Sequence, residues 1–241
     1  AGEEITLELQ AYTGILHSEF NLITQMQEID ERIEKLYYDL WVPLAAFTRM
    51  EEDDKNRRDI EEILNQTVNF LDLRTPYSEE FYRTLDEASA YIEEALYSKR
   101  AGYSDVIATC IGHTHIDVAW WWTVAQTREK VARSFATVLK LMEEYPNYRF
   151  MSSQPQLYAF LKERYPELYE KVKERIREKR WEPEGGMWVE ADCNLTSGES
   201  LVRQFMHGKR FFREEFGVDN RILWLPDVFG YSGALPQIMK K

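Results

Sequence analysis

The sequence has 241 residues, of which 44% are hydrophobic and 14% aromatic, and its formal net charge at pH 7 is −12. This length suffices for one large or two small domains with a hydrophobic core, and no apolar run reaches the roughly 18 residues of a membrane-spanning helix. Two cysteines, Cys110 and Cys193, are too few for a disulfide framework, and the first residues have no signal-peptide pattern, so we predict a reduced, cytoplasmic protein.

The charge is divided unevenly along the chain. Residues 1–100 hold 23 acidic and 10 basic side chains, whereas residues 101–241 hold 19 acidic and 20 basic ones. Such a change in composition predicts two domains, 1–100 and 101–241. The acidic first part argues against a nucleic-acid-binding face, and we expect neither nucleic acid nor a membrane as a partner.

The first 100 residues have mainly helical periodicity. Residues 5–12 alternate apolar and polar side chains and predict one strand, which needs a partner sheet because a single strand is unstable. We therefore expect this strand to be left from an upstream domain of a larger protein. Apolar residues three and four apart then predict three helices: one capped by Ser18 and ended or kinked at Pro43, one over residues 44–71, and one from Ser78 to Ser98.

Beyond Gly102, predicted strands and helices alternate. Apolar runs predict strands at 105–111, 148–152 and 222–226, and a strand with a loop at 184–194. Helical periodicity covers 123–145, 154–179 with a break at Pro166, 199–216, and the chain from Ala234. This alternation predicts an α/β fold: a partial, truncated β/α-barrel-like parallel sheet preceded by a helical region.

The end of the first of these strands carries residue types that bind metals. His113, His115 and Asp117 occupy alternate positions, so their side chains share one side if the chain stays extended. A strand end just before a helix is where α/β proteins place their chemistry, and imidazole with carboxylate suits Zn²⁺ or a similar divalent cation. The alternative is that the histidines are hydrogen-bonded structural residues, and the pattern alone identifies no reaction.

Further carboxylates follow the later strands, namely Glu190, Asp192 and Asp227. Because loops after parallel strands share one edge of the sheet, Asp227 can approach Asp117 despite their distance in sequence, although a turn or capping role is the alternative. Aromatic rings beside carboxylates suit sugar binding, and six crowd this edge: Trp120, Trp121, Trp122, Trp188, Phe229 and Tyr231. We expect Trp121 and Trp122 to be buried in the core instead.

Three segments carry a resemblance to a known family. HTHIDVAW at residues 113–120, EGGMWVEADCN at 184–194 and WLPDVFGYS at 224–232 resemble the motifs of glycoside hydrolase family 38, the retaining α-mannosidases. The likeness is closest to the cytosolic and bacterial branch and covers essentially all of residues 101–241. It implies removal of terminal α-D-mannose from oligosaccharides by the two-carboxylate chemistry of retaining glycosidases.

The resemblance also implies a role for each matched residue. His115 and Asp117 fall on the zinc ligands of the family's His-x-Asp motif. Asp227 falls on the aspartate that is both a zinc ligand and the nucleophile. Trp120 falls on the ring that stacks on the bound mannose, and Phe229 would line the pocket. The expected cofactor is therefore Zn²⁺ or a similar divalent cation.

The chain departs from the family pattern in one respect. The family's fourth ligand, a histidine, and its acid/base aspartate come from sequence well beyond the nucleophile, and His207, which lies in a predicted helix, does not match that motif. We therefore expect an N-terminal catalytic-domain fragment without useful activity. We also expect a homo-oligomer, because a truncated sheet exposes an unpaired edge. His113 would support the ligands from behind, and the resemblance defines no role for Glu190 or Asp192.

Two alternative functions stay open at this point. A metal-dependent amidohydrolase or deacetylase would use His113 and His115 with a metal-bound water, but would need neither the aromatic residues nor the WLPDVFG segment. A non-catalytic binding module would use residues 1–100 as an acidic partner surface. Release of acetate or ammonia would favour the first alternative, and glycan binding without turnover would favour the second.

Overall fold

The computed structural model describes residue 6, residues 27–99 and residues 107–240. These residues belong to two compact units, one with the helices of residues 27–99 and one that contains residues 109–240. The strand predicted over residues 5–12, apart from one residue, and the helix cap predicted at Ser18 lie outside the described residues. Residue 100, where the domain boundary is predicted, also lies outside them, and that boundary stays a prediction.

Three helices form the first unit: α1 (Glu31–Phe47), α2 (Lys55–Phe70) and α3 (Glu79–Ile92), which continues as a π-helical turn over Glu93–Ser98. Each begins at a polar cap, because the side chains of Asp30, Asp54 and Ser78 accept hydrogen bonds from backbone N–H groups of the first turn. The apolar faces of the helices pack together around a buried core that includes Leu36 and Leu85. The predicted third helix and its cap are confirmed.

Pro43 does not end the first helix, one of the two outcomes predicted for it. It lies inside α1 with its ring buried, and the helix continues beyond it. A proline leaves the carbonyl four residues earlier without its helical N–H donor. That carbonyl belongs to Asp39, and the hydroxyl of Tyr97 donates to it at 2.9 Å. The second helix consequently begins at Lys55 and not at residue 44, where it was predicted.

The second unit is built on an open three-stranded parallel sheet. Its strands are β1 (Gly112–His113), β2 (Phe150–Ser152) and β3 (Trp181–Pro183), in that order across the sheet. The helices are α4 (Val124–Glu144), α5 (Pro155–Arg164), α6 (Pro166–Arg177), α7 (Gly198–Phe216) and α8 (Leu235–Lys240). The first three of these lie in the connections between parallel strands. The predicted α/β class, with a partial β/α-barrel-like sheet, is confirmed.

An aromatic core holds the sheet against its helices. The ring of Trp181 packs edge-on against Phe135 and Phe150, with centroids 4.8 and 4.7 Å apart. Its Nε1–H donates to the hydroxyl of Tyr158 at 2.8 Å, and that hydroxyl donates to the carbonyl of Ser152 at 2.9 Å. These side chains are almost completely buried. The polar atoms of the core are thus paired, and the carboxyl end of β2 is fixed.

The strand predicted over residues 105–111 is wrong in its extent. Residues 107–111 are irregular, and pairing begins only at Gly112, which lies opposite Phe150. Ile107 is 89% exposed, so this apolar run does not form a buried strand. An apolar run forms a buried strand only where other elements cover it. In the described sheet β1 is an edge strand, so the residues before it lack such a cover on one side.

The strand predicted over residues 222–226 is also reduced, to one parallel bridge between Leu223 and Gly185. Conversely, β3 was not predicted as a strand, because its three residues are too few to show an alternation of apolar and polar side chains. The bridge still places residues 222–226 beside the chain that leaves β3. The loop after residue 226 therefore reaches the same edge of the sheet as the loops after β1 and β2.

Helix α7 supports the loop that follows β3. The backbone N–H of Trp188 donates to the carbonyl of Gln204 at 3.0 Å, and the N–H of Val189 donates to the side-chain oxygen of the same residue at 2.9 Å. Gly208 allows this close approach, because a Cβ atom there would lie 2.7 Å from the carbonyl carbon of Met187. The helix thereby fixes the backbone of residues 186–189.

Candidate metal centre

The three residues predicted as ligands lie together at the carboxyl edge of the sheet. His115 and Asp117 follow β1, and Asp227 follows the bridge at Leu223. The Nε2 atom of His115 is 3.3 Å from Oδ1 of Asp117 and 3.5 Å from Oδ2 of Asp227. One donor atom from each residue lies within 4.8 Å of the other two. The fold thus joins side chains that are far apart in the sequence.

The geometry of these donors fits a divalent cation. Ligand atoms about 2.1 Å from a tetrahedral zinc ion are about 3.4 Å from one another, which is close to the two distances from Nε2 of His115. One imidazole and two carboxylates are a ligand set for zinc or a similar ion. The side chain of Asp227 is 51% exposed, so this side of the cluster is open to a small molecule.

A buried carboxylate lies beside Nδ1 of His115, the ring nitrogen that does not face the two aspartates. Oε2 of Glu190 is 3.1 Å from Nδ1 of His115, and the Glu190 side chain is only 6% exposed. The hydroxyl of Ser153 donates to the other carboxylate oxygen at 3.0 Å. Burial raises the pKa of the Glu190 carboxyl above its ordinary value, whereas the neighbouring His115 and the hydroxyl of Ser153 act to lower it.

Gln154 connects the two loops that carry these groups. Its side-chain N–H donates to the carbonyl of Ile116 at 2.9 Å, and its side-chain oxygen accepts the backbone N–H of Glu190 at 3.2 Å. The residue is buried, and its backbone is left-handed, with φ of 62°. Ser153 and Gln154 were not predicted as part of the site, although their position directly after β2 puts them at the same edge as the other loops.

His113 is not part of the cluster. Its Nδ1 lies 2.9 Å from the carbonyl of Met151, and its Nε2 accepts the indole N–H of Trp224 at 3.3 Å. These partners fit the tautomer with the proton on Nδ1. Both nitrogens are occupied by the sheet and its neighbouring loop, so His113 has a structural role and does not support the ligands as predicted.

Asp192 also lies in a different environment from the cluster. Its Oδ1 accepts the backbone N–H groups of Asn194 and Leu195 at 2.8 and 2.7 Å. The hydrogen bonds from Leu195 and Asn194 hold the pKa of this carboxyl below its ordinary value. This is the geometry of an Asx turn, and it explains the residue without a role in catalysis.

The aromatic residues near the cluster are more exposed than predicted. Trp120 is 69% exposed, Trp121 is 79% exposed and Phe229 is 92% exposed. The prediction that Trp121 is buried in the core is therefore wrong. Trp122 is half-buried and donates its indole N–H to the hydroxyl of Thr127 at 3.1 Å. The roles of Trp120 and Phe229 stay predictions, and both rings are available to a ligand.

None of the helices in the described ranges combines the length and the apolar character that a bilayer crossing requires.

Comparison with known proteins identifies the family. Residues 105–241 match the glycosyl hydrolases family 38 N-terminal domain. The chain is 44% identical over 158 residues to alpha-mannosidase G of Dictyostelium discoideum, which covers 66% of this chain and 14% of that protein. It is 37% identical to the alpha-mannosidase of Saccharomyces cerevisiae over 85% of the chain, and 39% identical to human alpha-mannosidase 2C1 over 86%. The chain spans 19% of the length of each of the last two proteins. It therefore belongs to glycoside hydrolase family 38.

Proposed function

We propose that the chain supplies the metal site and the nucleophile of a retaining α-mannosidase, which removes terminal α-D-mannose residues from oligosaccharides. The observation that carries this proposal is the convergence of His115, Asp117 and Asp227 at one edge of the sheet. The family membership and the names of the relatives support the substrate class. The preferred ion is zinc or a similar divalent cation.

Each residue of the cluster has a defined task in this proposal. Nε2 of His115 and the carboxylates of Asp117 and Asp227 would hold the cation, which when bound supplies Lewis acidity toward neighbouring sugar hydroxyls. Oδ2 of Asp227 faces His115, and the exposure of this side chain leaves its carboxylate accessible to the anomeric carbon of a sugar. Coordination to the cation would also hold the Asp227 carboxylate in place for its attack as the nucleophile.

The reaction proceeds in two displacement steps. The Asp227 carboxylate forms a bond to the anomeric carbon while the glycosidic bond breaks, and the leaving oxygen takes a proton from a second carboxylic acid. Water then attacks the same carbon, gives its proton to that second carboxylate and releases Asp227. Two inversions at one carbon retain the α configuration of mannose.

The exposed rings would bind the apolar face of the sugar. Trp120 packs edge-on against Trp121 and Trp122, with centroid distances of 6.1 and 5.8 Å, so its orientation is supported while its face is accessible. We propose that Trp120 stacks on mannose and that Phe229 lines the same pocket.

The acid/base carboxylate is not assigned to any residue of this chain. Because general acid catalysis typically raises the reaction rate about 10²–10⁴-fold, we propose that the chain by itself has no useful mannosidase activity. The active protein would be a family member of full length that includes this sequence. We also propose that this protein is cytoplasmic and forms a homo-oligomer.

The stereochemistry of hydrolysis tests the proposal. A full-length protein that includes this sequence is given an aryl α-mannoside, and proton NMR follows the first anomer of mannose that is released. We expect α-mannose first, loss of activity on chelation, and recovery with zinc. Initial release of the β anomer would contradict the assignment of Asp227 as nucleophile. Release of acetate or ammonia from an amide, without mannoside hydrolysis, would favour a deacetylase or amidohydrolase instead.

A further inference from the structure

We propose that Glu190 is a positioning residue for the metal ligand His115, held in place by Ser153 and Gln154. This inference rests on the proposed metal centre and adds the groups behind it. Its basis is the 3.1 Å separation between Oε2 of Glu190 and Nδ1 of His115, the ring nitrogen that does not face the two aspartates of the cluster. Neither the sequence pattern nor the resemblance assigns a role to this carboxylate.

The burial of the two facing atoms makes them partners. Nδ1 of His115 and Oε2 of Glu190 are both inaccessible to solvent and lie 3.1 Å apart, but neither has an aligned hydrogen bond, to the other or to any further described group. An unpaired buried polar atom costs free energy, and at 3.1 Å a small rotation of either side chain would align this pair and satisfy both atoms. A proton on Nδ1, facing the carboxylate, leaves the lone pair on Nε2.

That lone pair lies on the nitrogen that faces the other ligands. Nε2 is the atom at 3.3 Å from Asp117 and at 3.5 Å from Asp227. A carboxylate on the far nitrogen of a histidine fixes its tautomer, orients its ring and raises its basicity as a ligand. Glu190 therefore selects the state of His115 that can bind a cation.

One hydrogen bond holds the Glu190 carboxylate, and a second holds the backbone of the same residue. Ser153 donates to its Oε1, and the backbone N–H of Glu190 is bound by the side chain of Gln154. The same glutamine binds the carbonyl of Ile116, the residue directly between the two ligands of the first loop. Gln154 thus connects the backbone behind Glu190 to the backbone of His115 and Asp117, and so limits movement between them.

The experiment measures binding of Zn²⁺ and Co²⁺ to the chain by calorimetry, together with ¹⁵N NMR of the histidine rings. The variants are Glu190→Ala, Glu190→Gln and Ser153→Ala. Glu182→Gln is the matched control, because Glu182 is an exposed glutamate on β3. The variant His115→Ala identifies which ¹⁵N signals belong to His115. It also shows how much of the metal binding depends on this histidine.

We expect Glu190→Ala to lower the affinity for both ions about 10- to 100-fold, the usual effect of removing the partner of a ligating histidine. Glu190→Gln should have a smaller effect, because its amide oxygen can still accept the Nδ1 proton, and Ser153→Ala should have the smallest. In Glu190→Ala the ¹⁵N signals of His115 should lose their preference for the tautomer with the proton on Nδ1. The control should bind both ions as the parent does.

Two results would overturn the inference, and they are distinguishable. Unchanged metal affinity and unchanged His115 signals in Glu190→Ala would refute the role of Glu190 and leave the proposed function intact. A parent chain whose metal binding is unaffected by His115→Ala would refute the metal centre and with it the proposed function. Should Glu190→Ala fail to fold by circular dichroism, the signals and affinities of Glu190→Gln and Ser153→Ala decide the question.

Discussion

In the proposed function Asp227 combines two tasks in one carboxylate, so its replacement should have two measurable effects. Asp227→Asn keeps the shape of the side chain but removes the charge that binds a cation and attacks a sugar. We expect metal affinity of the chain to fall at least about tenfold, and turnover of an aryl α-mannoside by the full-length protein to fall by about three orders of magnitude or more. Calorimetry and steady-state kinetics measure the two effects.

A matched control for this change is Asp219→Asn. Asp219 is a surface aspartate that forms an ion pair with Lys209 at 2.9 Å, and exposed pairs contribute little to stability. Its replacement should alter neither metal affinity nor turnover. If Asp227→Asn lost turnover but bound zinc as tightly as the parent, Asp227 would be a nucleophile only.

Trp120 and Trp121 offer a comparison between two exposed neighbouring rings. We expect Trp120→Ala to reduce kcat/KM for an aryl α-mannoside by about fivefold, on the order of 1 kcal/mol, because a stacking surface is lost. Trp121→Ala removes a ring of the same size beside it and should have little effect. Equal losses in both variants would mean that the mannose does not distinguish these rings.

The sequence was sufficient to predict which charged residues meet, but not what surrounds them. The strand-end pattern indicated His113, His115 and Asp117, and the rule that loops after parallel strands share an edge allowed Asp227 to approach them. The selection of His115, Asp117 and Asp227 as the ligands came from the family resemblance. Gln154 could not be predicted in the same way, because an uncharged residue gains its role only through contacts that span 36 and 38 positions. The burial of Glu190 likewise depends on the packed loops and not on any local pattern.

At the scale of elements, α7 determines the position of the loop that carries Glu190. Gly208→Ala would place a methyl group 2.7 Å from the carbonyl carbon of Met187 and 2.9 Å from the backbone nitrogen of Trp188. Overpacking of this kind costs about 1–3 kcal/mol, and the better helix propensity of alanine offsets at most about 1 kcal/mol. We expect a net loss of about 1 kcal/mol or more in the free energy of unfolding by urea.

Gly198→Ala is the control for this prediction, since nothing lies within 4 Å of a Cβ atom at that position. It should leave the free energy of unfolding unchanged or raise it slightly. If Gly208→Ala proved as stable as this control, the contact between α7 and residues 186–188 would be looser than the structure indicates.

The continuity of α1 depends on a side chain from the π-helical turn after α3. Tyr97→Phe removes the hydroxyl that donates to the Asp39 carbonyl, which Pro43 leaves without a helical partner. We expect a loss of about 0.5–1.5 kcal/mol, measured by hydrogen exchange of the slowest amides in α1. Tyr37→Phe, on the exposed surface of the same helix, should have no effect. Equal exchange in the two variants would contradict the proposed compensation.

Helices were predicted better than strands. The helix α3 follows from its cap at Ser78 and from its periodicity, and α7 follows from periodicity. The strands were predicted least well, because each has only two or three residues and its pairing is decided by neighbours in space. The continuation of α1 beyond Pro43 could not be predicted either, because the hydroxyl that compensates for the proline belongs to Tyr97, outside this helix.

At the scale of the whole molecule, a bound cation should act on one of the two units. The candidate ligands all belong to the unit that contains residues 109–240. Zinc at about 100 times its dissociation constant stabilises a folded state by about 2.7 kcal/mol. We expect slower hydrogen exchange in the peptides of this unit and unchanged exchange in the helices of residues 27–99.

His115→Ala supplies the control, because it should abolish the effect of zinc on exchange. Protection of both units by zinc, in the parent and not in this variant, would mean that they unfold as one cooperative body and would contradict the proposed division into two domains.

The left-handed backbone of Gln154 sets stability and function against each other at one position. Glycine adopts φ of 62° without strain, whereas other residues are held there at a cost of about 1–3 kcal/mol. Gln154→Gly would therefore relax the turn but remove the amide that bridges Ile116 and Glu190. Selection of variants for heat resistance alone would favour such relaxed turns. Thermostabilised forms of this protein would then tolerate higher temperatures while holding the proposed cation less firmly.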